Sequence, residues 1–79
     1  MNYYLIYDGE DNNLFAEDVI RQGKTAKEAI LLYLKETGRD YKIRRFKDNR
    51  AKFKATKFTY RKDGVKVRSG NDVWYGIDY

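Results

Sequence analysis

The 79-residue sequence contains no cysteine and no histidine. The absence of cysteine excludes a disulfide framework, a thiolate nucleophile and a cysteine-based zinc site. The absence of histidine excludes Ser–His and Cys–His catalysis, imidazole ligation of metals and an imidazole that titrates near neutral pH. We therefore predict a protein that is not an enzyme and that uses neither a metal nor another cofactor.

Long apolar runs are missing as well, since no stretch approaches the ~20 apolar residues that a membrane span needs. No charged–apolar–small signal pattern opens the sequence. A chain of this length has room for one domain with one small core. We therefore expect a single domain over residues 1–79, located in the cytoplasm and without a membrane partner.

Charge is distributed unevenly, although the formal net charge is only +5. Residues 1–20 carry 5 acidic side chains and no basic one, whereas residues 39–68 carry 13 basic and 3 acidic side chains. A block this basic produces a positive potential that attracts polyanions. This asymmetry is typical of nucleic-acid-binding domains.

The first half of the chain predicts two strands and a helix. Residues 2–7 are uncharged and apolar on both faces, which is typical of a central strand. Residues 14–20 predict an edge strand that forms a hairpin with the first. Thr25 and Glu28 form a capping box that begins an amphipathic helix, and Gly38 is placed to end it.

After the helix, apolar residues recur at every second position, as in strands. Strands are predicted at residues 41–46, 53–60, 65–67 and 73–79. Hairpin signals join them at residues 48–50, 63–64 and 69–72. The alternation changes parity at Arg44-Arg45 and at Thr56-Lys57, where we expect β-bulges. The predicted fold is α+β: a single antiparallel sheet of five to six strands with one helix packed on one face, in the order ββα followed by a β-meander.

The basic block interleaves its cations with aromatic residues. Lys and Arg at alternate positions of paired strands form cationic rows about 5 Å apart, whose mutual repulsion an anion would relieve. Most of the aromatic rings are expected in the core, but rings beside cations also suit bases and phosphates. We therefore predict a nucleic-acid-binding surface made of Lys42, Arg44, Arg45, Lys47, Lys52, Lys54, Lys57, Arg61 and Lys62.

Two other functions fit the sequence. The first is an inhibitor or antitoxin that binds one folded protein through an acidic N-terminal patch or C-terminal aromatic residues, with Glu10, Asp11, Glu17, Asp18, Trp74, Tyr75 and Tyr79 as candidates. The second is an RNase of the RelE type, which cuts RNA with basic residues and a tyrosine, here Arg44, Arg45, Lys57 and Tyr60.

The first part of the chain, just under half of its length, resembles the start of HicB-type antitoxins. That family has a Tyr-rich first strand and a Gln-Gly-x-Thr-x-x-Glu-Ala stretch that leads into a helix, and it is matched here by Tyr3, Tyr4, Gln22, Gly23, Thr25, Glu28 and Ala29. The resemblance covers residues 2–37 and implies a ββα arrangement. The family's Pro-x-Leu-Pro-Gly stretch has no counterpart, because the sequence contains no proline, and a basic segment stands where a DNA-binding tail would follow.

Our leading hypothesis is a small non-catalytic protein whose basic sheet, residues 39–68, engages nucleic acid or a protein–nucleic acid complex. Short reading frames rich in Lys, Tyr and Asn are common in phages and mobile elements. An anti-defence inhibitor, such as an anti-CRISPR protein, is therefore the biological role that we associate with this hypothesis. The sequence leaves open whether the partner is DNA, RNA or protein, and whether the chain is a monomer or a homodimer.

Overall fold

The computed structural model describes residues 1–10 and 19–78, which form one helix and five strands. The strands are β1 (Asn2–Asp8), β2 (Val19–Gly23), β3 (Ile43–Arg45), β4 (Phe53–Tyr60) and β5 (Lys66–Ile77), and the helix α1 (Ala26–Glu36) lies between β2 and β3 in the chain. All five strands belong to one antiparallel sheet with the order β2-β1-β4-β5-β3. The predicted α+β class with a single antiparallel sheet is confirmed. No helix in the described part of the chain is long and apolar enough to cross a membrane.

The ends of α1 are formed by the residues that the sequence predicts. The hydroxyl of Thr25 accepts a hydrogen bond from the backbone N–H of Glu28 at 3.2 Å. The Glu28 carboxylate accepts one from the backbone N–H of Lys24 at 2.8 Å, one residue before the partner that a standard capping box uses. At the other end Gly38 has φ +76°, a left-handed conformation that stops the helix and suits glycine.

One hydrophobic cluster joins the helix to one face of the sheet. Phe53, Ile30 and Leu34 are its largest fully buried side chains, and burial of each contributes about 1.5–3 kcal/mol. The cluster uses alternate strand residues, because successive side chains point to opposite faces. Its buried members are Tyr4, Ile6, Ala26, Ala29, Ile30, Tyr33, Leu34, Ile43, Phe53, Ala55 and Tyr75.

The intervening strand residues form a second face, here called the open face. Its residues include Ile20 and Gln22 of β2, Tyr3, Leu5 and Tyr7 of β1, Lys54, Thr56, Phe58 and Tyr60 of β4, Lys66, Arg68, Asp72 and Trp74 of β5, and Arg44 of β3. Lys52 and Phe46, which extend β4 and β3, follow the same alternation. Phe46 and Phe58 are buried but lie outside the core cluster.

The open face explains why the apolar pattern changes parity. β3 pairs with β5 in regular register, so the bulge predicted at Arg44-Arg45 is wrong. The irregularity predicted at Thr56-Lys57 is present, but only in the pairing of β4 with β5, where Arg68 to Asp72 of β5 spans Thr56 to Phe58 of β4. The pairing of β4 with β1 is unbroken there. Phe46 and Phe58 are therefore not displaced core residues but members of a second apolar set.

The strands after the helix do not form the predicted meander. β3 pairs with β5 at one edge of the sheet, and β5 separates it from β4. The connection through residues 46–52 must therefore cross β5, so the turn at 48–50 is not a hairpin. Gly76 allows this crossing: a Cβ there would lie 2.2 Å from Cδ2 of Phe46 and 2.6 Å from the carbonyl oxygen of Arg50.

Two further boundaries differ between prediction and structure. The hairpin predicted at residues 69–72 is wrong, because β5 is one 12-residue strand and both of its halves pair with β4. The β4–β5 hairpin turns at Asp63-Gly64 as predicted, with Gly64 at φ +84°. The predicted edge strand at residues 14–20 corresponds to β2, which extends to Gly23, and residues 14–18 lie outside the described residues.

Candidate nucleic-acid interface

The central unit of the open face is a row of three side chains on adjacent strands. Lys54 of β4 is opposite Tyr7 of β1 on one side and Trp74 of β5 on the other. Its ammonium nitrogen lies 5.7 Å from the centre of the Tyr7 ring and 5.6 Å from that of Trp74. The two rings meet edge to face at 6.2 Å. Because Tyr7 is 53% and Trp74 39% exposed, both rings remain accessible to a ligand.

A second unit surrounds Phe46, at the end of the sheet where the chain crosses β5. The ring rests against Gly76, and the guanidinium carbons of Arg44 and Arg50 lie 4.4 and 4.5 Å from its centre. Phe46 is only 8% exposed, whereas both arginine side chains are more than half exposed. The ring therefore holds two guanidinium groups at the surface through cation–π contacts. Lys52 lines the same shallow pocket.

A third unit lies near the tip of the β4–β5 hairpin. Tyr60 meets Tyr3 and Phe58 edge to face, with ring centres 5.4 and 5.3 Å apart. The Lys66 ammonium lies 5.9 Å from the centre of the Phe58 ring. Tyr60 is 48% exposed. This unit again combines an accessible ring with a cation.

Cations exceed carboxylates on and around the open face of the described chain. Three carboxylates form ion pairs with arginines: Asp78 with Arg44, Asp48 with Arg50, and Asp72 with Arg68. The cations of the face are Arg44, Arg50, Lys52, Lys54, Lys66 and Arg68. Pairs this exposed are worth little to stability. The arginines are therefore available to exchange a carboxylate for a phosphate.

Two of these carboxylates are held in their charged form. The hydroxyl of Thr56 donates to Oδ1 of Asp72 at 2.6 Å, and this bond, followed by the charges of Arg68 and Lys54, lowers the pKa of Asp72. Hydrogen bonds from Arg50 likewise lower the pKa of Asp48. Both groups thus stay ionised at neutral pH and reduce the positive potential of the face locally.

The structure divides the nine predicted nucleic-acid-binding residues into groups. Arg44, Lys52 and Lys54 lie together on the open face. Register places Lys57 on the opposite face, level with Tyr4. The remaining five are exposed outside these groups: Lys42, Arg45 and Lys47 lie in or beside the edge strand β3, and Arg61 and Lys62 lie at the hairpin tip.

Sequence reasoning missed three cations of this face: Arg50, Lys66 and Arg68. Lys66 and Arg68 could have been found, because they alternate with Val65 and Val67 and so share one face of their strand. Arg50 gave no such signal, since it reaches the face through the crossing connection.

Three of the residues predicted for a protein partner lie in the described part of the chain, and those three are not gathered in one place. Tyr75 is 8% exposed and belongs to the core cluster, whereas Trp74 lies on the open face. Glu10 is bound by Arg39 at 3.0 Å and by the hydroxyl of Tyr41 at 3.1 Å. The other members, Asp11, Glu17, Asp18 and Tyr79, lie outside the described residues.

Arg39 joins the start of the chain to the end of the helix. Its guanidinium donates to Oδ2 of Asp8 at 2.6 Å, and the Tyr33 hydroxyl donates to the same oxygen at 2.7 Å. The bonds to Asp8 and Glu10 raise the pKa of Arg39. Burial raises the pKa of Tyr33, and its bond to Asp8 adds to that effect. These acidic groups therefore serve the fold, and in the described part of the chain no three acidic residues are arranged to hold a metal ion.

The four residues considered for RNA cleavage are also divided between faces. Arg44 and Tyr60 lie on the open face near its opposite ends, and Lys57 lies on the other face. Comparison with protein-family models, with curated proteins and with solved structures finds no match. The resemblance of residues 2–37 to HicB-type antitoxins stays a prediction.

Proposed function

We propose that the open face binds nucleic acid, alone or within a protein–nucleic acid complex, without catalysing a reaction. The observation that carries the proposal is the row of Tyr7, Lys54 and Trp74, in which one ammonium lies within 6 Å of the centres of two exposed rings. A nucleotide presents a phosphate and a base side by side. The cation neutralises the phosphate and the ring stacks on the base.

The charge of the face supports the same proposal. Among the described residues of the face, six cations stand against three carboxylates. The Phe46 unit holds Arg44 and Arg50 at the surface beside Lys52. Affinity then comes mainly from neutralised phosphates and falls as salt rises. Sequence preference is weak, because contacts to phosphates carry no direct sequence information.

The biological role proposed with this activity is inhibition in the cytoplasm by a phage or mobile-element protein, with a nucleoprotein complex as the target. An anti-CRISPR protein would be one example. Trp74, a candidate for the alternative protein-binding inhibitor, lies in the same row as Lys54. We therefore assign this ring to the nucleic-acid-binding face.

Fluorescence anisotropy with labelled DNA and RNA, titrated from about 50 to 200 mM salt, tests the proposal. The test variant is Lys52→Glu with Lys54→Glu. Its matched control is Lys24→Glu with Lys27→Glu, which makes the same change in net charge on exposed residues at the start of the helix. Circular dichroism establishes that both variants are folded.

The wild type should bind with a log K that falls linearly with log salt. Loss of two phosphate contacts should lower the slope by about 1.4 on a single strand, since each contact contributes about 0.7. The control should keep most of the affinity, because exposed charges more than about 10 Å from the ligand are largely screened. Equal losses in both variants, or no binding by the wild type at the lowest salt, would contradict the proposal.

A further inference from the structure

In the part of the chain that the structure describes, the accessible rings of the open face lie at two places, here called stations. Tyr7 and Trp74 form the first, and Tyr60 forms the second. Along β4 the stations are separated by the six residues from Lys54 to Tyr60, a distance of about 20 Å. The surface between them carries Thr56 and the Arg68–Asp72 pair.

Exposed rings at these stations can stack on bases only if the bases are unpaired. In a duplex the bases face each other and only their edges line the grooves. The first station lies on the part of the sheet where β1, β4 and β5 are adjacent, whereas a major groove admits a helix or a two-stranded ribbon. The hairpin tip is narrow enough for a groove, but Tyr7 and Trp74 are not there.

We infer that the ligand of the open face is a single strand of about four nucleotides, with bases stacked at both stations. This inference rests on the proposed function. A strand extended to roughly twice the stacked rise of 3.4 Å advances about 6–7 Å per nucleotide. Three such steps cover the distance between the stations. Lys54 at the first station and Lys66 at the second are placed for the phosphates beside the stacked bases.

Trp74 is the one tryptophan of the sequence, so its fluorescence reports on the first station directly. Unlabelled oligo-dT and oligo-U of two, four, six and eight nucleotides are titrated against the wild type, with a duplex of eight base pairs as the comparison. We expect single strands of either sugar to quench the fluorescence. Affinity should rise steeply with length up to four nucleotides. Beyond that length it should rise only in proportion to the number of four-nucleotide positions at which a longer strand can bind.

Variants separate stacking from apolar contact. Trp74→Leu and Tyr60→Leu should each weaken binding of a labelled eight-nucleotide strand roughly 5- to 150-fold, which corresponds to the loss of one stacked base. Trp74→Phe keeps a ring and should lose much less. Leu32→Ser removes an exposed apolar side chain from the helix and should leave binding unchanged.

The outcomes distinguish this inference from the proposed function. If the duplex binds as tightly as the single strand and the fluorescence does not change, the single-strand inference is overturned while nucleic-acid binding stands. Equal losses in Trp74→Phe and Trp74→Leu would also overturn it, since a ring would then have no advantage. If neither form of nucleic acid binds, the proposed function fails and this inference fails with it.

Discussion

Replacing Gly76 with alanine should destabilise the protein, although alanine ordinarily suits the interior of a strand better than glycine does. A Cβ at this position would lie 2.2 and 2.5 Å from two carbons of the Phe46 ring and 2.6 Å from the carbonyl oxygen of Arg50. Carbon atoms in contact prefer about 3.5–4.0 Å. The ring must therefore move by more than 1 Å (about the difference between these distances), and the backbone oxygen of Arg50 restricts where it can go.

The expected loss of stability is about 2–4 kcal/mol. Overpacking costs about 1–3 kcal/mol, and partial exposure of a Phe ring adds a share of the 1.5–3 kcal/mol that its burial contributes. For a domain of this size each kcal/mol lowers Tm by roughly 4–8 °C, so Gly76→Ala should lower Tm by at least about 8 °C.

Thermal and urea unfolding followed by circular dichroism measure this effect, with Gly70→Ala as the control. A Cβ on Gly70 would meet its nearest neighbour, Cβ of Lys57, at 3.4 Å, and its φ is not positive. That substitution should be neutral or stabilising by up to about 1 kcal/mol. In a Phe46→Ala background, Gly76→Ala should cost at least about 1 kcal/mol less than in the wild type, because contacting residues couple by this amount. An unchanged or higher Tm for Gly76→Ala would refute the close packing of the Phe46 ring against Gly76 of β5.

Two further predictions concern side-chain contacts of the two faces. Arg39→Ala leaves Asp8 and Glu10 without their shared cation and should lower the free energy of unfolding in urea by about 2–4 kcal/mol, near the range for a broken buried ion pair. Arg39→Lys should recover only part of that stability, because an ammonium cannot reproduce the guanidinium fork. A full recovery would argue against a guanidinium that binds both carboxylates. Thr56→Val should raise the pKa of Asp72 toward its ordinary value of 3.8, measured by NMR titration. The pKa of Asp72 is lower in the folded than in the unfolded protein, so the stability that this bond contributes is present above pH 3.8 and is lost as pH falls through the folded pKa. The variant should therefore lose less stability than the wild type over that pH range. An unchanged pKa of Asp72 would show that the Thr56 hydrogen bond does not cause the shift.

The helix was the most predictable element, because its signals are local. Thr25 caps its start and Gly38 ends it, and each acts on the helix turn next to it. The hairpin at Asp63-Gly64 is predictable for the same reason, since a left-handed glycine is what its turn requires.

Strand order was less predictable, because it depends on contacts between distant residues. The sequence favoured hairpins between consecutive strands, whereas β3 pairs with β5 and the connection crosses over Gly76. A glycine inside a strand signals close approach of backbone or side chain, but nothing local identifies the Phe46 ring as the group that approaches.

The positive charge of the candidate site could be predicted from the sequence, but the arrangement of its side chains in space could not. The basic block predicts a cationic surface of nine residues, and three of them, Arg44, Lys52 and Lys54, lie together on the open face. The rings at Tyr7 and Trp74 come from segments 67 residues apart, which only the pairing of both strands with β4 brings together. Local alternation cannot reveal such a cross-strand row.

The most direct test of the proposed interface is a two-dimensional amide NMR titration with an eight-nucleotide single strand. We expect the largest shifts on β1, β4 and β5 and on the indole N–H of Trp74, while the amides in the middle of α1 stay unchanged. Shifts concentrated on the helix, or no shifts at low salt, would contradict the claim that the open face binds nucleic acid.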